Sequence, residues 1–412
     1  MPRWDARHAS RWRKRISPAS RSSAGSWTCG RCCTTRLNTG NVRLELFDAL
    51  VVMLAGFFNP TVRSLRLIEQ LSQMPWVQTQ LAADKVCRST LSDAFDRFRP
   101  EQLLPLIRAL MEQVPHLRRI DKDLERLCSQ VIAADGSMFD LAADVAWALH
   151  SGKRNGRDHA QCRLNLQIDI DTFTPTDVSV SGADQGSEAQ AFIDRLAGGV
   201  IYLIDRNFVH FGFLNAVLDK GSDFVLRLKQ DTRFQATASR PLGARDLSEG
   251  VESDRVGTLP GSRGGRTGPP PTRLVREVVC RDPLTGQRVR LLTSLLDVPA
   301  YVIGLLYRYR WQIELFLRWL KVWAGMEHLI SHGKKGITLQ FYVAVIACLL
   351  MHISTGRRVN KYMLFLMGQV ACGLATFDQI VPLLDKIERE KEQERRRRER
   401  KKLLKTQNLL PG

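Results

Sequence analysis

The chain has 412 residues, enough for two or three domains, and its hydrophobic content of 44% is ordinary for a globular protein. Its formal net charge of +19 is high and indicates a polyanionic partner, with nucleic acid favoured over a membrane surface. The longest apolar runs, Leu46–Phe58 and Phe341–Ile353, are shorter than the ~20 residues of a membrane-spanning helix, so we predict buried core helices and no membrane segment.

Residues 1–42 are rich in Arg, Ser and Thr without sustained periodicity, which predicts a disordered basic arm. The sequence leaves open whether this arm contacts DNA or is an over-long start, and it shows no apolar stretch typical of a secretory signal. Nine irregularly spaced cysteines favour free thiols in a reducing cytoplasm. Cys29 and Cys32 have the spacing of half a zinc site, but no second pair follows them.

Residues 43–125 predict a helical N-terminal domain. The apolar segment Leu46–Phe58 is typical of a core helix, Asn59-Pro60 ends it, and a helical pattern resumes after this break. A Ser/Thr-rich turn around Ser89-Thr90 is flanked by three arginines, a pattern that a DNA-binding helical module shares with a plain helical domain. The three arginines are Arg88, Arg97 and Arg99.

Two fully apolar strands each lead into an aspartate: Val131–Ala134 is followed by Asp135, and Val200–Ile204 is followed by Asp205. A buried strand that ends in a carboxylate is a common way to present an acid at a sheet edge. The elements around them alternate between strand and helix patterns, which predicts a mixed α/β sheet. These are strands at Arg163–Asp171, Asp177–Ser181 and Phe224–Leu228, and helices at Ser187–Leu196 and Phe211–Asp219.

Residues 230–299, approximately, lack the apolar periodicity of a helix, and we predict a β-rich insertion there. Gly261–Pro271 is rich in Gly, Pro and Arg and is expected to be a loop. Leu274–Cys280 and Arg288–Thr293 flank the turn sequence Asp282–Gly286, which predicts a β-hairpin.

Residues 356–412 predict a helical C-terminal region with a basic tail. Thr338–Ser354, just before this region, and Tyr362–Gly373, within it, are predicted to be apolar helices. Ile387–Lys405 has helix-forming residues without an apolar stripe until its end. Residues 386–405 carry a formal charge of +6, compatible with either a solvated tail or a non-specific phosphate clamp.

One amphipathic segment, Tyr301–Trp323, carries four polar residues on a single stripe. At ~100° per residue, Tyr307, Arg310, Glu314 and Lys321 fall within about 60° of one another. An apolar stripe beside them is expected to face a core. The polar stripe is compatible with a solvated face of Arg–Glu pairs, or with a carboxylate for a metal and basic groups for phosphates. The apolar stripe consists of Leu306, Ile313, Leu317 and Leu320.

The pattern Tyr-x2-Arg-x3-Glu-x6-Lys in this segment resembles the signature of the insertion-sequence-four family of DDE transposases at all four positions. The surrounding LYRYRWQIELFLRWLK and the stretch VIYLIDRNF also resemble the family. Asp-Arg-Gly-Tyr is frequent at the second acid, whereas Asn207 and Phe208 stand in its last two places here. The resemblance covers roughly residues 131–353.

The resemblance implies an α/β ribonuclease-H-like catalytic core over residues 126–355, with the β-rich insertion inside it, an α-helical N-terminal domain and a helical C-terminal region. It also implies that Asp135, Asp205 and Glu314 are the three catalytic acids and hold two Mg²⁺ ions, with Mn²⁺ as a substitute. Asp135 would bridge the two ions, and each of the other acids would complete one site.

The polar stripe would then contact DNA. Arg310 and Lys321 are expected to bind phosphates near the reacting strand, Arg206 to bind a further phosphate, and Tyr307 to stack on or hydrogen-bond the DNA. Tyr307 could equally be a boundary aromatic residue, and the same structural alternative holds for Arg206.

The family implies binding to the terminal inverted repeats of a bacterial mobile element, strand cleavage, and joining of the freed 3′-OH ends to target DNA. A homodimer on DNA, a location in the cytoplasm at the nucleoid and no nucleotide cofactor are expected, since no Gly-x4-Gly-Lys loop is present. Two alternatives stay open: a DNA-binding protein whose catalysis has lapsed, and a ribonuclease-H-fold nuclease without strand transfer.

Other carboxylates compete for the acid positions. The strongest rival is Asp169-x-Asp171, because an alternating strand puts both carboxylates on one face. The pattern alone does not exclude it. The full set of competitors is Asp140, Asp169, Asp171, Asp184 and Glu188.

Overall fold

The computed structural model describes residues 37–39, 42–59, 62, 64–79, 81, 86–114, 123–124, 127, 130–141, 149–154, 157–182, 188–206, 210–261, 268–281, 286–323, 329–371 and 374–407. The chain divides into two compact units. One combines residues 1–98 with 358–412, and the other comprises residues 99–357. The domain limits predicted from the sequence stay predictions.

The first described element of the first unit is a short antiparallel pair, β1 (Leu37–Thr39) and β2 (Val42–Leu44), with Leu37 opposite Leu44. Its first strand falls within the stretch predicted to be disordered, so that prediction was wrong for residues 37–39. Leu44 is fully buried, and this apolar anchor explains why the end of the arm is ordered. Residues 1–36 lie outside the described part of the chain.

Four helices follow, as the apolar periodicity of this region predicts. Ser64 begins the second of them, since its Oγ accepts a hydrogen bond from the backbone N–H of Leu67 at 3.3 Å. The helices bury one side each, represented by Val52, Ile68 and Phe95. They are α1 (Leu46–Phe57), α2 (Leu65–Ser72), α3 (Pro75–Gln78) and α4 (Arg88–Arg97).

The second unit is built on one mixed sheet of ten strands. It begins with a 3₁₀ turn (Pro100–Leu103) and α5 (Leu104–Met111). The strands are β3 (Val131–Leu141), β4 (Leu149–Arg154), β5 (Arg157–Asp169), β6 (Thr174–Gly182), β7 (Ile201–Ile204), β8 (Asp223–Arg227), β9 (Gln235–Ser239), β10 (Val251–Thr258), β11 (Val275–Arg281) and β12 (Arg288–Thr293). Their order is β4-β5-β3-β7-β8-β12-β11-β10-β9, and β6 pairs with β5.

The strands β3, β7 and β8 are parallel, while β5 runs antiparallel to β3. Short helices connect the parallel strands: α6 (Glu188–Ile193) precedes β7, and α7 (Phe211–Asp219) precedes β8. Both helices pack on one face of the sheet and bury an apolar core with it. That core includes Ile132, Ala134, Phe192, Tyr202, Ile204, Phe213, Leu214, Phe224 and Leu226.

The β-rich stretch predicted for about residues 230–299 is present, and it extends the core sheet. Strand β12 pairs antiparallel with β8, with Leu292 opposite Leu226. The predicted hairpin is formed by β11 and β12, with Val278 opposite Leu291. A short helix, α8 (Ala244–Ser248), lies between β9 and β10.

The segment predicted as one helix is broken at Arg310. It forms α9 (Ala300–Tyr309), α10 (Trp311–Arg318) and a π-helical turn at Trp319–Trp323. Its apolar stripe is buried as predicted, at 0% exposure for Leu306, Ile313 and Leu320 and 5% for Leu317. The stripe therefore faces the core, and the polar stripe lies beside it.

A long helix, α11 (Lys334–Thr355), follows. By length and composition it could cross a membrane, but 89% of its apolar window is buried inside the protein, in agreement with the predicted core helix. The ring of Phe341 packs edge-on against Phe139 of β3 with centroids 4.9 Å apart. Because Phe139 and Ala134 point to opposite faces of β3, α11 covers the face opposite α6 and α7.

Two more helices belong to the first unit, α12 (Lys361–Ala371) and α13 (Phe377–Gln407), and they pack on each other. The start of α13 is a capping box, since the side chains of Thr376 and Gln379 each accept a hydrogen bond from the other's backbone N–H. Its charged part is largely exposed where it is described, and it forms i,i+4 pairs such as Arg396–Glu392.

Candidate active site

Asp135 and Asp205 lie side by side on neighbouring strands. The parallel pairing of β3 with β7 ends at Ala134 opposite Ile204, and the two aspartates are the next residues. Parallel strands in register lie ~4.8 Å apart and point matched side chains to the same face. The sheet therefore brings the two carboxylates together on the face opposite α6 and α7.

The position of Asp135 corrects one prediction. The strand does not end at this acid, because β3 continues to Leu141 and pairs with β5 throughout, with Asp135 opposite Leu166. The sequence pattern missed this because the strand loses its apolar character after Ala134. Asp135 is thus inside β3, at the point where the shorter strand β7 stops beside it. Its Oδ1 accepts a hydrogen bond from the N–H of Gly136 at 2.9 Å.

Glu314 reaches this place from α10, which packs against β3. The orientation of the helix is supported by the ring of Phe316, which contacts Phe173 edge-on at 5.9 Å between centroids. Glu314 Oε1 accepts a hydrogen bond from Nη2 of Arg310. The other terminal nitrogen of Arg310, Nη1, lies 3.9 Å from Oδ2 of Asp135. One guanidinium therefore connects two of the three predicted acids.

The guanidinium of Arg310 is unusually placed for a cation, since the residue is only 8% exposed. Burial alone lowers its pKa, but Tyr307 and the nearby carboxylates more than reverse this, and the pKa of Arg310 is raised. Among these carboxylates is Asp205, so all three predicted acids act on the same cation. Within the described part of the chain, Nε and Nη1 of Arg310 have no hydrogen-bond acceptor.

Tyr307 lies one helical turn before Arg310, whose guanidinium carbon is 5.4 Å from the centre of its ring. Burial raises the pKa of the Tyr307 phenol, Arg310 lowers it, and the charge of Asp205 raises it further. Tyr307 therefore belongs to the same cluster as the acids, and the polar stripe is not a solvated face at this end.

Lys321 lies on the same face but farther along β3. Its Nζ donates a hydrogen bond to the carbonyl of Met138 and is 5.0 Å from the centre of the Phe139 ring. Met138 is three residues beyond Asp135, which is about 10 Å along a strand. The π-helical turn that carries Lys321 points it there, so the lysine is separate from the acid cluster.

The remaining predicted contact, Arg206, directly follows Asp205 and is exposed. It has no hydrogen bond or ion pair with the residues that the structure describes. Asn207 and Phe208, where the sequence departs from the family pattern, lie outside those residues.

The rival Asp169 is excluded by its surroundings. It pairs in register with Ile132, so its side chain points to the face opposite Asp135. It is 5% exposed and accepts hydrogen bonds from Nε2 of Gln130 and, at 2.8 Å, from the N–H of Thr172. Asp169 thus closes the turn between β5 and β6.

The other competitors are not brought to the cluster by any described contact. Asp140 is exposed and accepts a hydrogen bond from Gln161 at 2.6 Å, and Asp171 lies in the turn after β5. Asp184 and the side chain of Glu188 lie outside the described residues.

Arg227, the last residue of β8, lies near the candidate site but was not predicted from the sequence to do so. Because Ile204 pairs with Leu226, Arg227 lies beside Asp205 on the neighbouring strand. Its charge lowers the pKa of Tyr307, and it has no hydrogen bond or ion pair with other described residues. The signal was a single cation at the end of the strand Asp223–Arg227, which follows the strand that leads into Asp205.

The donor chemistry of the cluster suits a hard divalent cation, because three carboxylates converge on one sheet face. In the described part of the chain, however, no three His, Cys, Asp or Glu side chains are close enough together to hold a metal ion. Arg310 contacts Glu314 and lies near Asp135, so two of the acids now share a cation. The acids therefore fit a metal by their donor chemistry, while their present charge partner is Arg310.

Comparison with known proteins identifies the family. The model for the transposase DDE domain matches residues 126–350. A Sinorhizobium fredii (strain NBRC 101917 / NGR234) protein named as transposase y4zB is 25% identical over 227 residues, 55% of this chain and 61% of that protein. A Geobacillus stearothermophilus protein named as the transposase for insertion sequence element IS5377 is 24% identical over 210 residues, 50% of this chain and 52% of that protein.

The matched segments span less than two thirds of both relatives. Among solved structures, a piggyBac transposase synaptic complex with hairpin DNA aligns over 87% of this chain and 75% of that chain. Its sequence identity is 13% and its TM-score 0.39, a similarity too distant to bear on the fold. The family match covers more than half of the chain, which therefore belongs to the transposase DDE domain family.

Proposed function

We propose that the chain is the transposase of a bacterial insertion sequence of the insertion-sequence-four family, built on a ribonuclease-H-like core. It binds the terminal inverted repeats of its element, cleaves them and joins the 3′-OH ends to target DNA. The observation that carries this proposal is the convergence of Asp135, Asp205 and Glu314 around the single guanidinium of Arg310.

Asp135, Asp205 and Glu314 are the residues that would hold Mg²⁺, or Mn²⁺ in its place. Such ions activate the attacking oxygen and stabilise the leaving oxygen in phosphodiester cleavage. The position of Asp135 beside Asp205 on a rigid sheet suits this role, because the backbone sets their separation before substrate arrives.

Arg310 acts as the phosphate receptor of the site. It is buried, it keeps its charge, and two of its donors lack acceptors among the described residues. A guanidinium binds a phosphate through two parallel hydrogen bonds, an arrangement that its present contacts do not provide. When DNA phosphate takes the guanidinium, the carboxylates of Glu314 and Asp135 lose their cation and become available as metal ligands.

The other basic residues extend this contact along the DNA. Arg227, beside Asp205, faces the same reacting phosphate. Lys321 contacts a phosphate farther along the strand, since it hydrogen-bonds Met138, three residues beyond Asp135 in β3. Tyr307 stacks on or hydrogen-bonds the DNA next to Arg310, and Arg206 offers a further exposed phosphate contact.

The assembly follows from the reaction. Two copies pair the two ends of the element, so the protein acts as a homodimer on DNA, without a nucleotide cofactor. Its place of action is the bacterial nucleoid in the cytoplasm. The net charge of +19 favours this polyanionic partner.

The test measures DNA cleavage and DNA affinity in Glu314→Gln, a substitution that removes the carboxylate charge and keeps the side-chain shape. Wild type is expected to cleave DNA carrying the ends of its element in Mg²⁺. The variant is expected to lose cleavage by at least ~10³-fold while its affinity for the same DNA stays within a few-fold. Arg308→Gln is the matched control, since Arg308 is an exposed arginine of α9 that pairs with Glu249.

The ion pairs of Arg310 with Asp135 and Glu314 favour a second candidate, a DNA-binding protein whose catalysis has lapsed, because the acids form no ready metal group within the described residues. DNA binding without cleavage by wild type would support that candidate. Cleavage without joined products would support a nuclease that performs no strand transfer. Cleavage by Glu314→Gln at the wild-type rate would contradict the assignment of the acids.

A further inference from the structure

The helix α9, which carries Tyr307, begins after a coil whose carbonyl groups are tied to the inserted strands. Nη1 of Arg276, in β11, donates to the carbonyl oxygens of Leu295 at 3.2 Å and Leu296 at 3.4 Å, and also to that of Val298. These carbonyls belong to the residues that lead directly into α9. One side chain of the insertion therefore fixes the approach to the helix.

The other two nitrogen atoms of the Arg276 guanidinium are also hydrogen-bonded. Its Nε and Nη2 donate to the two carboxylate oxygens of Asp254 at 2.7 Å each. Arg276 is 1% exposed and Asp254 4%, so the pair is buried and bidentate. Arg240 adds a second donor to the carbonyl of Leu296 and lies 3.9 Å from Asp254. A buried, fully bonded guanidinium has little freedom to move.

A second tie reaches the first turn of the helix. Oδ1 of Asp246, in α8, accepts a hydrogen bond from the N–H of Tyr301 at 2.9 Å, while its Oδ2 accepts from Gly243 at 2.9 Å. The N–H groups of a first helical turn have no partner within the helix. Asp246 therefore supplies from another element the cap that the sequence before α9 lacks. Arg245 stacks 4.3 Å above the ring of Tyr301.

We infer that Asp246 and the Asp254–Arg276 pair are positioning residues for the reaction, because they set the rotation and register of the helix that presents Tyr307 and Arg310. The inference rests on the proposed function of that cluster. A slip of one residue would rotate the side chains by ~100° and remove Tyr307 from Asp205. The insertion thus acts as a clamp, here called the α9 clamp and formed by Asp246 of α8, Asp254 of β10 and Arg276 of β11.

The α9 clamp is tested at Asp246, whose hydrogen bonds lie near the surface and can be removed without emptying a core. Asp246→Ala removes both acceptors, and Asp246→Asn keeps the acceptor for Tyr301. Backbone hydrogen exchange at Tyr301–Ile303 is expected to be about five- to tenfold faster in the alanine variant, with the asparagine variant close to wild type. Cleavage of element-end DNA is expected to fall about tenfold in Asp246→Ala at unchanged DNA affinity, and to recover in Asp246→Asn.

Glu252→Ala is the matched control, because Glu252 pairs with Arg281 and Arg288 on the same insertion, and neither partner belongs to α9 or to the coil before it. This variant should exchange and cleave like wild type. Wild-type exchange at Tyr301–Ile303 in Asp246→Ala would overturn the α9 clamp, as would a loss of cleavage that Asp246→Asn does not restore. Hydrogen exchange is measured without DNA and therefore tests the α9 clamp independently of the reaction. If the wild type cuts no DNA, the proposed function is overturned, and the exchange rates still show whether Asp246 holds α9.

Discussion

Two buried arginines of the same unit, Arg276 and Arg310, are used in opposite ways. Arg276 donates from Nε, Nη1 and Nη2, to both oxygens of Asp254 and to three carbonyls. Arg310 donates from Nη2 to Glu314 and leaves Nε and Nη1 without acceptors among the described residues. A buried cation with all its donors bonded fixes the groups around it, whereas one with free donors can still bind a ligand.

The largest expected effect comes from removing Arg276, the arginine whose donors are all bonded. Arg276→Met leaves the carboxylate of Asp254 buried and unpaired, and is expected to lower the free energy of unfolding by about 3–5 kcal/mol. Urea unfolding followed by circular dichroism measures the change. The double variant Arg276→Met with Asp254→Leu should recover part of the loss, because no charge is then left without a partner. Equal losses in both would mean that packing, and not the charge pair, holds this region.

A smaller effect on stability is expected from removing Arg310, the arginine with two unbonded donors in the described part of the chain. Arg310→Gln is expected to change the free energy of unfolding by less than about 1.5 kcal/mol, since its ion-pair partners Glu314 and Asp135 are both partly exposed to solvent. Without DNA, the variant should bind Mn²⁺ about tenfold more tightly than wild type, because Glu314 and Asp135 lose their competing cation. Mn²⁺ titration followed by electron paramagnetic resonance measures this. Arg308→Gln, on the exposed side of α9, should bind Mn²⁺ like wild type.

Mn²⁺ binding by wild type as tight as by Arg310→Gln would show that the guanidinium does not compete with a metal. Arg310 would then be a second structural arginine. Loss of DNA affinity in Arg310→Gln, with Arg308→Gln unaffected, would support a phosphate-binding role for Arg310.

The sequence predicts which helices and strands form better than it predicts where each of them ends or is interrupted. The spacing of Tyr307, Arg310 and Glu314 puts them on one stripe, and they do converge, because the break at Arg310 keeps the helical direction. The apolar run Val131–Ala134 predicts only part of β3, since local patterns do not reveal that β5 goes on pairing beyond Asp135. Register between distant strands is not encoded in any one segment.

The same limit explains what was missed at the candidate site. Arg227 looks like a stray cation in a strand until β8 is placed beside β7. Asp169 looks like a rival acid until its register with Ile132 puts it on the other face. The hydrogen bond of Arg276 to Leu295, in the coil before α9, joins residues 19 positions apart, and that of Asp246 to Tyr301 joins residues 55 positions apart. Both separations are beyond the reach of any local pattern.

The smallest expected effect concerns the far end of the polar stripe, where Lys321 faces Cys162 instead of the acids. Burial raises the pKa of the Cys162 thiol from 9.0 to about 12, although Lys321 lowers it in part. Because the folded pKa exceeds the unfolded one, the stabilisation is complete below pH 9 and is lost as pH rises from 9 towards 12. Unfolding free energy should fall by about 1 kcal/mol between pH 9 and 10 through this group.

Cys162→Ala removes the titrating thiol, so its unfolding free energy should depend less steeply on pH over that interval. Urea unfolding at pH 8, 9 and 10 gives the two slopes. Parallel slopes would mean that the thiol is equally acidic in both states, and hence that the strand region under Lys321 is open to solvent. A steeper slope in wild type would fit a dry β3–β5 surface beneath the lysine. Lys321 would then reach DNA from an apolar platform, unlike Arg310, which is surrounded by acids.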